Sequence, residues 1–149
     1  MLTQPAAMQF HGGMSDKEVV LFRSICPGVR IIGRVTVLGK ESLEEAASFR
    51  PPLWDVIILD SFDPCTGRKG ATGLTHDWSI SAKIVKIASV PVILAGGLNP
   101  GNVAEAIHEV RPHGVDAHTG LEDNNGTRNF HKIRDFAQAA LKAFQSLHE

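Results

Sequence analysis

The chain has 149 residues, of which 43 % are hydrophobic and 21 % charged, and a formal net charge of −1. This length fits one domain with a sizeable core, and the composition excludes a disordered or low-complexity protein. Because the charge is nearly balanced and not clustered, we expect no nucleic-acid surface. No apolar run approaches the ~18 residues that a membrane span requires, and the first residues lack the basic and apolar regions of a signal peptide.

The sequence contains two cysteines, Cys26 and Cys65. Two are too few for a disulfide framework, and their separation does not match the spacing of metal ligands. We therefore expect a reduced, cytoplasmic protein without a metal site.

Apolar, β-branched runs alternate with helical patterns along the chain. The first run, at 6–10, precedes Ser15 and Glu18, which have the spacing of a capping box for a helix ending near Ile25. Asp77 is the candidate N-cap of a later helix. Further strands are predicted at 29–37, 55–59, within 90–98 and at 114–118, and further helices at 41–49, after Asp77, at 100–110 and at about 130–147, with a long loop at 61–76.

Five strands that alternate with helices, each strand nearly all apolar, indicate a parallel sheet covered by helices. Both a doubly wound sheet and part of a (β/α)8 barrel have this pattern. A complete barrel of eight units usually needs ~250 residues, so this chain is too short to form one.

The stretch at 90–103 combines a buried strand, the glycine pair Gly96-Gly97 and the start of a helix. Residues without side chains let backbone N–H groups approach an anion, and the first turn of a helix adds further donors. A glycine pair alone more often marks a simple turn. With its flanking strand and helix, this stretch is a candidate phosphate site.

Read together, four stretches resemble the C-terminal part of phosphoribosylanthranilate isomerase, a (β/α)8-barrel enzyme of tryptophan biosynthesis. The resemblance covers nearly the whole chain in the correct order. The stretches are Met8-Gln9-Phe10-His11-Gly12; Ile58-Leu59-Asp60-Ser61 with Gly70-Ala71-Thr72-Gly73 and Asp77-Trp78; Leu94 to Val103; and Arg111-Pro112-His113-Gly114-Val115-Asp116 with Thr119-Gly120.

The resemblance implies a partial (β/α)8 barrel over residues 1–149, a single incomplete domain whose five strands match strands 4–8 of the family. The first three strands of the family carry a Cys general base in a Lys-x-Cys-Gly motif and an Arg that faces the anthranilate carboxylate. Neither has a counterpart in this sequence. The implied reaction is an Amadori rearrangement of N-(5-phosphoribosyl)anthranilate, which needs an acid at the ring oxygen and a base at C2 but no metal or redox cofactor.

The resemblance also assigns site residues. Asp60, at the end of the third predicted strand, matches the general acid, although an Asp after a strand often only closes a turn. His11, Asp116 and Gly73 match substrate-binding positions; for His11 and Asp116, capping a loop or closing a turn is an equally good interpretation. The phosphate group is expected at Gly96, Gly97, Thr119 and Gly120.

Three departures from the family pattern weaken the expectation of activity: Ala71 in place of a second glycine, Ala117 in place of a β-branched residue, and the sequence at 127–129 before the last helix. Cys65, just after Asp60, is a remote candidate for the missing base. The alternative to an isomerase is a non-catalytic phosphate-binding fragment or pseudoenzyme; an isomerase of another sugar phosphate fits less well. Since five strands leave two open edges, we expect self-association, a chain that supplies the missing strands, or a longer gene product.

Overall fold

The computed structural model describes residues 5–63, 68–69 and 75–147. In this part of the chain the strands are β1 (Ala7–Gln9), β2 (Arg30–Thr36), β3 (Val56–Asp60), β4 (Phe62–Asp63), β5 (Arg68–Lys69), β6 (Val92–Leu94) and β7 (Gly114–Val115). The helices are α1 (Asp16–Ile25), α2 (Glu41–Ser48), α3 (Trp78–Ile87), α4 (Val103–Val110) and α5 (Phe130–Ser146), and a 3-10 turn spans Thr119–Leu121.

Five of the strands form one parallel sheet in the order β1-β2-β3-β6-β7. Helices α2, α3, α4 and α5 pack each on the next, so they form a continuous layer. A doubly wound sheet would divide its helices between two faces, whereas a barrel keeps them all outside. The predicted alternation is confirmed, and the architecture is a partial (β/α)8 barrel. Strands β4 and β5 pair antiparallel inside the segment predicted as a loop.

The two faces of the sheet differ in their surroundings. On the helix-covered face, four strand residues have no exposed surface: Ile31, Val35, Ile57 and Leu59. These residues pack under the helices, so the residues between them face the barrel interior. Because successive side chains point to opposite faces, the other face carries Ile32, Arg34, Ile58 and Ile93. This second face is called the open face below.

Local sequence signals explain where most helices begin. Ser15 and Glu18 form the predicted capping box of α1, and the Asp77 carboxylate accepts the Ser79 N–H at 2.9 Å at the start of α3. The prediction that a helix begins at Pro100 is wrong: α4 begins at Val103. Residues 99–102 instead form a turn held by Asn side chains, which compete with the helix for backbone groups.

The fifth strand is shorter than predicted. Pairing in β7 ends at Val115, although the Asp116 N–H still donates to the Leu94 carbonyl at 2.9 Å. The chain then turns away into the 3-10 turn, so residues 116–118 form a loop above the sheet instead of the predicted continuation of the strand. This early end of pairing brings Thr119 and Gly120 over the loop that follows β6.

The edges of the sheet carry exposed apolar surface. Among the described residues, β1 pairs only with β2, and β7 only with β6. Of the eight large hydrophobic side chains that are exposed in the described ranges, six lie on the edge elements β1, α1 and α5: Met8, Val20, Leu21, Ile25, Phe130 and Leu141. No helix in the described part of the chain is both long and apolar enough to cross a membrane.

Candidate active site

The carboxyl ends of the strands bring four charged or titratable side chains to the open face. Asp60 is the last residue of β3, and its carboxyl group interacts electrostatically with Arg34 of β2, Asp116 after β7 and His11 after β1. Asp60, Asp116 and His11 are site residues predicted from the sequence, whereas Arg34 is not. In a (β/α)8 barrel, the carboxyl ends of the strands are where active sites form.

Asp60 is a buried carboxyl group, with 8 % of the residue exposed. Its Oδ1 atom accepts the Ser61 N–H at 2.9 Å, and its backbone carbonyl accepts the Val37 N–H at 2.9 Å. Burial raises the pKa of Asp60; the Ser61 N–H and Arg34 oppose this, whereas Asp116 adds to it. Because the net pKa shift is upward, Asp60 holds its proton to higher pH than an ordinary Asp, as a general acid requires.

Of the three predicted substrate-binding residues, two lie in the described part of the chain. His11 and Asp116 are exposed; Asp116 directly follows β7, and Phe10 separates His11 from β1. Their interactions with Asp60 put all three on the same side of the sheet. Gly73 and Cys65 lie outside the described residues. Within the described part of the chain, no group of three or more His, Cys, Asp or Glu side chains is arranged to hold a metal ion.

The loop after β6 is held in a conformation that needs glycine. Gly96 and Gly97 have φ angles of 85° and 64°, in the left-handed region that side chains disfavour. Asn102 fixes the loop: its Nδ2 atom donates to the Gly97 carbonyl at 3.0 Å, and its Oδ1 atom accepts the Asn99 N–H at 2.8 Å. Both amide contacts are internal to the loop, so its shape is set before any ligand binds.

This loop contacts the 3-10 turn after β7. A side-chain carbon on Gly120 would overlap the backbone carbonyl of Leu98 and lie 2.9 Å from the Asn99 Cβ atom. Within the described residues, the backbone N–H groups of Gly96, Gly97, Thr119 and Gly120 meet no hydrogen-bond acceptor. Two adjoining turns with unpaired N–H donors can bind an oxyanion such as phosphate.

The close contact at Gly120 predicts that an added side chain destabilises the protein at this glycine but not at Gly114. Gly120→Ala will lower the free energy of unfolding by about 1–3 kcal/mol, because the Leu98 carbonyl leaves no space for a methyl group. Gly114→Ala is the matched control: at Gly114 the nearest atom to an added carbon is Ile93 Cγ1, at an ordinary 3.7 Å. Urea unfolding of both variants tests this, and equal losses would contradict it.

The sequence is similar to one family of known proteins over nearly its whole length. The profile of the family "N-(5'phosphoribosyl)anthranilate (PRA) isomerase" matches residues 2–139. The chain is 42 % identical over 142 residues to N-(5'-phosphoribosyl)anthranilate isomerase 2 of Methanosarcina mazei, covering 95 % of this chain and 62 % of the relative. It is also 42 % identical over 137 residues to N-(5'-phosphoribosyl)anthranilate isomerase of Desulforudis audaxviator, with 92 % and 62 % covered.

Solved structures give the same result. Phosphoribosyl anthranilate isomerase from Thermotoga maritima superimposes with a TM-score of 0.72 at 32 % identity, over 92 % of this chain and 62 % of that one. A phosphoribosyl anthranilate isomerase in complex with reduced 1-(o-carboxyphenylamino)-1-deoxyribulose 5-phosphate matches with a TM-score of 0.70 at 30 % identity, over 92 % and 60 %. The chain therefore spans about three-fifths of the length of each of these proteins.

Proposed function

Because the chain belongs to the phosphoribosylanthranilate isomerase family, we propose that it forms the larger part of an isomerase of tryptophan biosynthesis. The reaction is the Amadori rearrangement of N-(5-phosphoribosyl)anthranilate to 1-(2-carboxyphenylamino)-1-deoxyribulose 5-phosphate. A biosynthetic enzyme of this kind acts on a small phosphorylated metabolite, and we place it in the cytoplasm. The observation that carries the proposal is a buried Asp60 with a raised pKa at a strand end, beside two turns whose N–H groups meet no acceptor among the described residues.

Asp60 is proposed as the general acid. In the first step the C1–O bond of the ribose ring breaks, the nitrogen lone pair forms a C1=N bond, and the Asp60 proton moves to the ring oxygen. A base then removes the C2 proton, the electron pair of the C2–H bond forms a C1=C2 bond, and the π pair of the C1=N bond returns to the nitrogen. The resulting enaminol tautomerises to the aminoketose. Proton transfer by a positioned acid typically contributes about 10²–10⁴-fold to such steps.

The substrate is proposed to lie across the open face. Its phosphate accepts hydrogen bonds from the N–H groups of Gly96, Gly97, Thr119 and Gly120, which meet no other acceptor among the described residues. His11, Asp116 and Gly73 are proposed to contact the sugar and the anthranilate ring. Because backbone donors carry no net charge, binding the phosphate at these turns adds no further cation beside Asp60.

The catalytic base is proposed to come from outside this sequence. Relatives are longer, with 62 % of their length covered, and a barrel needs eight units. We propose that the chain contributes units 4–8 and that three further βα units, in the same polypeptide or a separate one, pair with β1 and β7. The exposed Val20, Leu21 and Ile25 of α1, together with an apolar cleft of about 130 Å³ beside β1, fit the helix of such a unit.

The test is completion of the barrel. The chain is co-expressed with the first three βα units of a relative in a bacterial strain that requires tryptophan because it lacks this isomerase. We expect growth without tryptophan only when both parts are present, and turnover of the purified complex. The controls are each part alone and the same pair with the apolar face of α1 disrupted by Leu21→Glu.

Two outcomes contradict the proposal in different ways. A complex that assembles and binds the reduced product analogue but gives no turnover would favour the alternative, a phosphate-binding protein without catalysis. A chain that assembles with itself and excludes the added units would show that self-association, and not completion, covers the edges. Size-exclusion chromatography of the purified protein distinguishes the two.

A further inference from the structure

Arg34 is a charged residue in the middle of a strand whose neighbours are mostly β-branched. It lies on the open face of β2 and is only partly exposed. In the register of the sheet, Arg34 is opposite Ile58, and Thr36 is opposite Asp60. Arg34 and Asp60 are therefore diagonal neighbours on one face, a separation that a long side chain can span.

The charges around Asp60 come from three elements. Arg34 projects from β2, His11 follows β1, and Asp116 follows β7, and all three interact electrostatically with the Asp60 carboxyl group. Asp116 disfavours the ionised form of Asp60, while Arg34 and His11 favour it. Of these groups, Arg34 alone keeps its positive charge at every pH at which a protein folds.

We propose that Arg34 is a positioning residue for Asp60: from the neighbouring strand, on the same face of the sheet, its guanidinium charge stabilises the carboxylate that remains after proton donation. The inference rests on the proposed role of Asp60 as the general acid. When Asp60 gives its proton to the ring oxygen, a negative charge develops in a buried position near Asp116. A cation on the neighbouring strand offsets that cost, since a nearby positive charge favours the ionised form of a carboxyl group.

The role has a kinetic consequence. Without Arg34, Asp60 is a weaker acid, so the ring-opening step slows. Substrate binding depends mainly on other groups, so kcat of the completed enzyme falls while KM changes little. A purely structural role for Arg34 would lower the amount of folded protein without altering either the titration of Asp60 or the ratio of kcat to KM.

The experiment titrates Asp60 by carbon-13 NMR of its carboxyl group in the full chain, with Asp60→Asn used to assign the signal. The variants are Arg34→Met, Arg34→Lys and, as matched control, Arg30→Met. Arg30 lies on the same face of the same strand, about 13 Å away at its other end. We expect the Asp60 midpoint to move to higher pH in Arg34→Met, to recover toward the original value in Arg34→Lys, and to stay unchanged in Arg30→Met.

An unchanged midpoint in Arg34→Met, or the same displacement in Arg30→Met, would overturn the inference. If Arg34→Met does not fold, Arg34→Gln takes its place: an Asp60 midpoint displaced to higher pH supports the inference, and an unaltered one overturns it. The titration needs no substrate. A completed barrel without turnover, together with the expected displacement, would therefore reject the proposed function and keep the electrostatic effect of Arg34 on Asp60.

Discussion

Asp60→Asn is expected to lower kcat of the completed enzyme by about 10²–10⁴-fold, the usual contribution of a positioned acid, with little change in KM. The substitution keeps the size of the side chain and the Oδ1 atom that accepts the Ser61 N–H at 2.9 Å. It removes only the proton that Asp60 can donate and the negative charge that remains on the carboxylate afterwards. The loss should therefore appear in the chemical step and not in binding.

The same substitution should stabilise the fold at neutral pH. Burial raises the pKa of Asp60, so the native state binds this proton more tightly than the unfolded chain does. The contribution of Asp60 to stability is therefore present at low pH and is lost as pH rises from the unfolded pKa through the raised native one. Asp60→Asn has no such loss, and its advantage over the original chain should grow across that interval and then level off.

Steady-state kinetics and urea unfolding at several pH values test both effects. Asp135→Asn is the control, because that carboxylate is exposed on α5 and pairs with Arg134 at the surface. It should alter neither kcat nor the pH dependence of stability. A normal kcat for Asp60→Asn would reject Asp60 as the acid. If Asp60→Asn is less stable than the original chain at pH 8, the buried charge of Asp60 does not destabilise the fold.

The alternation of strands and helices could be predicted because each element has a strong local signal. The capping box at Ser15 and the N-cap at Asp77 depend on hydrogen bonds within three residues, and both predictions are confirmed. The start of α4 could not be predicted in this way. Proline favours the first turn of a helix, but the side chains of Asn99 and Asn102 bind the backbone of the preceding loop and delay the helix to Val103.

The missed element of the site is Arg34, and the reason is register. A strand pattern predicts which residues share a face but not which residue of the next strand lies beside them. Arg34 becomes a neighbour of Asp60 only through the pairing of Thr36 with Asp60. A charged residue inside a β-branched run was the available signal, since such a side chain needs a polar partner when it is partly buried.

The contact between the two glycine loops likewise depends on residues distant in sequence. Gly120 packs on the carbonyl of Leu98 because β6 and β7 are paired, and no local pattern contains that information. Gly96 has a second close approach: an added carbon would lie 2.9 Å from the Ser61 N atom, the donor to Asp60. The loop proposed for phosphate is thus in contact with the residue that holds the proposed acid. The roles assigned to these residues stay predictions.

His76 gives the largest expected dependence of stability on pH. It precedes α3 and contacts the buried Ser81 hydroxyl through Nε2 at 2.7 Å. Burial lowers the pKa of His76 to about 4, against a smaller opposing effect of Asp77. The imidazole is therefore neutral in the native state, while in the unfolded chain it takes up a proton near pH 6.5. Below that pH the unfolded chain binds more protons, so stability falls as the solution is acidified.

Between pH 7.5 and 4.5 this difference should remove about 2 to 3 kcal/mol from the free energy of unfolding. The His76→Gln variant has no titrating ring, so it should not show this loss between pH 7.5 and 4.5. This holds even if lost packing makes the variant less stable at pH 7.5. His131→Gln, which replaces an exposed histidine on α5, should keep the original pH dependence. Urea unfolding at pH 7.5, 6.5, 5.5 and 4.5 measures all three, and parallel curves for the original chain and His76→Gln would show that His76 is not buried in its neutral form.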